Sequence, residues 1–147
     1  MTESEILYQI RRCEEQADDC LHQRLRLERQ YDELSELHDR FSRLQSDFIS
    51  RQQSQLNLLR HRVQAASGLR SARSYLDGMH QLIGGSDFQR ASNGLGTARE
   101  RILQERYKIR QMMDEIEYQR KKALNDLQYW REQLYIVRQE AQEAEGE

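Results

Sequence analysis

From Ile6 to Phe48 the chain reads ILYQIRRCEEQADDCLHQRLRLERQYDELSELHDRFSRLQSDF, and this stretch decides the fold. Its apolar seam is Ile6, Ile10, Cys13, Ala17, Cys20, Arg24, Leu27, Tyr31, Leu34, His38, Phe41, Gln45 and Phe48. The steps alternate between four and three residues without a break. That is the a/d spacing of a heptad, which keeps one narrow stripe of an α-helix facing a partner helix. The same frame continues more weakly through Leu59 and Ala66. Gln9, Gln16, Gln23 and Gln30 recur every seven residues beside the seam and therefore share one flank.

A second seam lies downstream: Leu95, Arg99, Ile102, Arg106, Ile109, Met113, Ile116, Arg120, Ala123, Leu127, Trp130, Leu134, Val137 and Ala141. Between the two seams the glycines collect, six of the seven falling at Gly68, Gly78, Gly84, Gly85, Gly94 and Gly96. Two heptad arms joined by a glycine-rich reversal predict an all-α fold, a long antiparallel helical hairpin or coiled coil with a short Gly-interrupted middle. The expected organisation is a single helical domain over 1–147. Helix 1 spans 2–66, capped by Thr2 or Ser4 and stopped at Ser67-Gly68. The middle spans 67–96 with a short helix over 69–83. Helix 3 spans 97–144 and could begin as early as Phe88. Gly78, Gly84 and Gly85 are the turn residues, with Gly84-Gly85 the main reversal and Ser86 or Asp87 capping the return. An arm of 60 residues would reach ~90 Å at ~1.5 Å per residue.

The composition agrees. The chain has 147 residues, 33% charged and 37% hydrophobic, and no proline. Its mean hydropathy is -1.01. A large central core is not available to such a sequence, whereas helices that each bury one stripe are. The absence of proline separates it from a disordered chain. Net charge is -2 with both signs mixed, and Arg outnumbers Lys 20 to 3. Arg120, Lys121 and Lys122 form only a short basic run, so no nucleic-acid face is assembled. No apolar run has the length of a membrane span. The N-terminus, Met1-Thr2-Glu3-Ser4-Glu5, lacks the features of a signal peptide, and a cytoplasmic location is the default expectation.

No chemistry-bearing set stands out. Cys13 and Cys20 are seam positions one heptad apart, ~10 Å along the axis, too far for a mutual disulfide. Core packing is their first reading, a cross-chain disulfide or redox role the second. His22, His38, His61 and His80 are dispersed and predict no metal site. Gly84-Gly85-Ser86-Asp87 and Gly94-Leu95-Gly96 lack the residues of a phosphate-binding loop. Trp130 reads as a packing anchor or as a binding hot spot at the open end of the hairpin. With no nucleophile, base and oxyanion donors in one pattern, the chain is expected to be non-enzymatic and to need no cofactor.

Apolar residues left over beside the seams carry the functional expectation. They are Leu7, Leu21, Leu25, Leu37 and Leu44 on one arm, and Leu103, Tyr107, Met112, Leu124, Tyr135 and Ile136 on the other. Two helices cannot bury them all, so a further helical surface is expected. The candidate interface is Leu21, Leu25, Leu37, Leu44, Leu103, Tyr107, Met112, Leu124, Trp130 and Tyr135. Its occupant is a second copy, giving a homodimer, or another helical protein.

The run Tyr75-Leu76-Asp77-Gly78, then Phe88-Gln89-Arg90-Ala91, then the helix through Tyr107, Ile116 and Trp130, resembles the YwqH-like family. These are bacterial WXG-like helical hairpins that accompany LXG toxins of type VII secretion. Two features depart from the pattern. There is no Trp-x-Gly at the turn, and Tyr135 is followed four residues later by Gln139 rather than an acidic residue. The resemblance implies a cytoplasmic targeting factor or chaperone that binds the helical N-terminal domain of an LXG toxin, with or without a small companion helical protein. It admits co-secretion with the toxin, the signal then coming from toxin or companion. A stalk protein like the FliJ/YscO coiled coils that act at export ATPases is the alternative, although those tend to be more basic. A structural coiled-coil subunit of a larger assembly is the third reading.

Overall fold

The computed structural model describes residues 1–65, 68 and 70–146. The fold is all-α and hairpin-like, built from α1 (Glu3–Ala65), α2 (Arg70–Gly84) and α3 (Ser86–Gly146). The expected stop at Ser67, the end of helix 1 at Ala66 and the start of the short helix at Leu69 lie outside the described residues.

Local chemistry explains where α1 begins. Thr2 Oγ1 accepts from the Glu5 N–H at 3.3 Å, and Glu5 Oε2 accepts from the Thr2 N–H at 3.0 Å. This reciprocal pair is a capping box, which satisfies two backbone donors that the first turn leaves free. Of the two candidate caps, Thr2 is therefore the one used, and Ser4 lies within the helix.

The middle segment differs from its expected form. Gly78 is an interior residue of α2, not a turn residue. Gly94 and Gly96 lie inside α3, which begins at Ser86 rather than Thr97. A helical glycine costs only ~1 kcal/mol relative to alanine, and an otherwise favourable helix absorbs that. Gly84 closes α2, and Gly85 alone separates α2 from α3. Gly85 also takes the capping place expected of Ser86 or Asp87: its carbonyl accepts from the Gln89 N–H at 3.2 Å. Asp87 sits in the first turn of α3, where its charge favours the positive helix end.

Contacts divide the chain into two compact units, Met1–Asp32 with Tyr107–Glu147, and Glu33–Arg106. In the first, α1 and α3 run antiparallel: Glu3 meets Arg138, Glu14 meets Arg131 and Arg24 meets Glu117. Ile6, Cys13, Ala17, Cys20 and Leu27 of α1 are buried there, as are Ala123 and Leu127 of α3. All seven are seam positions. In the second unit the pairing is again antiparallel. Ser35 meets Arg106, His38 and Gln45 meet Arg99, and Phe48 stacks on Phe88 with centroids 4.8 Å apart. Here Leu59, Leu76 and Ile102 are buried. Leu76 belongs to an α2 stripe with Ala72, Met79 and Ile83, spaced to cover one helix face.

Beyond Phe48 the α1 frame slips. The covered residues are Gln52, Leu56, Leu59 and Val63, so two consecutive steps of four replace the four–three alternation. Such a stutter rotates the stripe around the helix.

Candidate helix-docking site

In the first unit the seam splits the pair of helices into two flanks of different chemistry. In an antiparallel pair, residues just after the seam positions of both helices face one side, and residues just before them face the other. The geometry follows this rule. Gln9, Gln16, Gln23, Gln119 and Asp126, each preceding a seam residue, line one groove of about 500 Å³ together with Cys13, Cys20, Ala123 and Trp130. The heptad-spaced glutamines of α1 thus stand along a polar slot whose floor is two thiols and a methyl group. Small floor residues are what leave the slot open.

The opposite flank is apolar at its centre. Glu14 and Arg131, which follow Cys13 and Trp130 in the seams, touch at 3.3 Å. One heptad further along both helices stand Leu21 and Leu124, so the two leucines face each other across the seam as that ion pair does. Leu25 lies one turn from Leu21 on the same side. These three remain 37%, 40% and 45% exposed for Leu21, Leu124 and Leu25. Charge brackets them. On one side is Glu14–Arg131. On the other, Arg24 donates from Nη1 to Glu117 Oε2 at 2.6 Å and from Nε to Glu28 Oε1 at 3.1 Å. An apolar centre with a charged rim is the anatomy of a helix-binding surface.

The ten candidate interface residues do not form one surface. Leu21, Leu25 and Leu124 come together. Tyr107 and Tyr135 are exposed, and each phenol oxygen accepts from a glutamine of its own helix, Gln111 at 3.1 Å and Gln139 at 2.9 Å. Met112 precedes seam residue Met113 and so points to the glutamine flank. Trp130 is half-buried, edge-on to Tyr129 with centroids 5.0 Å apart. Leu37, Leu44 and Leu103 belong to the second unit. Leu103 is half-buried, beside Gln45, Ser92 and Glu100. None of the turn candidates sits at a chain reversal. Gly78 is inside α2, and Gly84-Gly85 only interrupts a continuing antiparallel run, because Gly84 lies beside Leu56 and Gln52 of α1 and Phe88, just beyond, stacks on Phe48. Exposed apolar side chains not singled out from the sequence include Leu58 and Leu82. Their exposure depends on the frame slip beyond Phe48 and on which α2 face packs, neither of which the heptad count contains.

The two cysteines are free and buried. Burial, and next the charge of Asp126, push the Cys13 thiol above its ordinary range, with Arg12 opposing. Among the described residues no cluster of His, Cys, Asp or Glu could hold a metal ion, and no helix is long and apolar enough to cross a membrane. No family profile, curated protein or solved structure matches the chain.

Proposed function

We propose that this protein is a non-enzymatic coiled-coil adaptor that holds a helical partner on the flank centred on Leu21, Leu25 and Leu124. The observation that carries this reading is the exposed leucine patch bracketed by the Glu14–Arg131 and Arg24–Glu117 ion pairs. A third helix laid along it would cover the 37–45% of these three leucines that is still exposed, contributing on the order of 1 kcal/mol each. The charged rim would fix its register.

The resemblance to the YwqH-like hairpins gives the partner a chemical identity: the helical N-terminal domain of an LXG toxin, kept competent for type VII secretion by a cytoplasmic targeting factor. The test is co-expression of a tagged LXG helical domain with this chain. The wild type should co-purify in fixed ratio. Leu21→Glu with Leu124→Glu should abolish retention while circular dichroism stays helical. Retention that ignores both substitutions, or an LXG domain that never binds, refutes the reading.

A further inference from the structure

The second unit carries an apolar groove of its own. It runs between α1 and α3, has a volume of about 560 Å³, and is lined by Leu34, Leu37 and Phe41 opposite Gly94, Ala98 and Ile102, with Thr97, Arg101 and Glu105 of α3 completing the wall. It is open because α3 supplies little bulk there. A methyl group added at Gly94 would meet nothing within 4 Å. Leu37 is 38% exposed, and Leu44, one heptad on, is 54% exposed.

Charge on the rim says what covers it. Glu33, Arg40 and Asp47 form one column of α1, seven residues apart and exposed, with no ion-pair partner among the described residues. We infer that this groove is closed by a second copy of the chain, whose α1 lies antiparallel to the first about a two-fold axis through Leu37.

Glu33 and Arg40 stand on either side of Leu37. A two-fold axis there sets each Glu33 beside Arg40 of the second copy, twice over by symmetry, while Leu37 meets Leu37 over the groove. The obvious competing axis passes through Phe41, midway between Leu37 and Leu44. It would set Arg40 against Arg40 and Glu33 against Asp47, all like charges. Like-charge contacts at close range reject that register, and an axis through Leu44, which would pair Arg40 with Asp47, misses the groove, whose lining includes Leu37 but not Leu44. The arrangement is isologous, so each α1 enters the other's groove and the assembly closes as a dimer. It leaves the Leu21 flank to a different partner.

Sedimentation of the full chain over a concentration series tests this. A monomer–dimer equilibrium is expected, reaching twice the 17.7 kDa chain mass. Leu37→Glu should weaken dimerisation by about tenfold or more with helix content unchanged, the scale of one buried leucine exchanged for a charge. Glu33→Arg and Arg40→Glu should each weaken it by about three- to tenfold, and the double variant should restore it. Leu21→Glu should leave the dimer intact, so failure here and failure of the adaptor reading are separable. A chain that stays monomeric throughout overturns the inference. So does a dimer indifferent to Leu37→Glu, or a double charge reversal that fails to restore what the single ones lose. A groove that binds only a foreign helical domain through Leu37 also overturns it.

Discussion

Arg99 donates from Nε to Nε2 of His38 at 3.3 Å, and its Nη1 donates to Gln45 Oε1 at 3.2 Å. One arginine of α3 therefore holds two seam side chains of α1 that lie a heptad apart. Accepting at Nε2 leaves the His38 proton on Nδ1, which faces Asp39 Oδ1 at 3.7 Å. Arg99→Ala strands two half-buried acceptors and should lower stability by about 1–2 kcal/mol in urea melts. Replacing Arg99, His38 and Gln45 together by leucine should instead raise the thermal midpoint, because polar seam positions trade stability for register. An Arg99→Ala protein that melts like the wild type would show that the fork contributes nothing.

The glycines should separate into two kinds. At Gly78 and Gly94 an added methyl meets nothing within 4 Å and the backbone is helical. Each Gly→Ala change there should stabilise by about 0.8–1 kcal/mol. At Gly85 the same methyl would collide with the Gln81 carbonyl. Gly85→Ala should therefore lower the melting point, and a stabilising Gly85→Ala would mean the α2–α3 link is not as tight as described.

Cys13 should be a sluggish nucleophile. Its thiolate is disfavoured by burial and by Asp126, so iodoacetamide should label it more slowly than a free thiol at neutral pH, and faster in Asp126→Asn. Linkage gives a second readout. The folded thiol titrates above its ordinary value of 9.0, so its contribution to stability is whole below that pH. That contribution is lost as pH rises through the folded value. Between wild type and Cys13→Ala, only the wild type should show this part of the alkaline decline in midpoint.

Ser42 offers a simpler gain. Its hydroxyl is buried without a hydrogen-bond partner. Ser42→Ala removes an unsatisfied group and improves helix propensity, and it should stabilise by about 0.5–1 kcal/mol by denaturant titration. A loss of stability would mean the hydroxyl is satisfied in solution.

The a/d seams were legible because burial repeats what the spacing demands. Ile6, Cys13, Ala17, Cys20 and Leu27 are buried on α1, and Ile102, Ala123 and Leu127 on α3. The glycine middle was misread at Gly78, Gly94 and Gly96. Propensity marks glycine as a breaker, but its cost is about one hydrogen bond's net worth, and neighbouring turns carry the helix through. The pairing of Phe48 with Phe88, and of Leu37 with the small residues Gly94 and Ala98, could not be read from either arm alone. Both depend on the offset between the helices, which the spacing within one arm does not fix, and the break at Gly84-Gly85, expected as the reversal, proves to be a bend in a run that stays antiparallel to α1. The leftover leucines were visible in the sequence. That only Leu21, Leu25 and Leu124 gather at one place was not, for the same reason.

Arg24 and Glu117 have a mechanical consequence. Glu117 occupies a position whose heptad neighbours on α3 are Arg110 and Leu124. If α3 slid along α1 by one heptad, Arg24 would exchange its 2.6 Å carboxylate for a guanidinium in one direction or an aliphatic chain in the other. Neither neighbour can take over the contact, so sliding one way brings repulsion and the other leaves Arg24 with Glu28 alone. Coiled coils that signal by shifting register need adjacent stations of similar energy. Within the first unit the Arg24–Glu117 contact therefore marks a single station, and a one-heptad shift there cannot serve as a switch between equals.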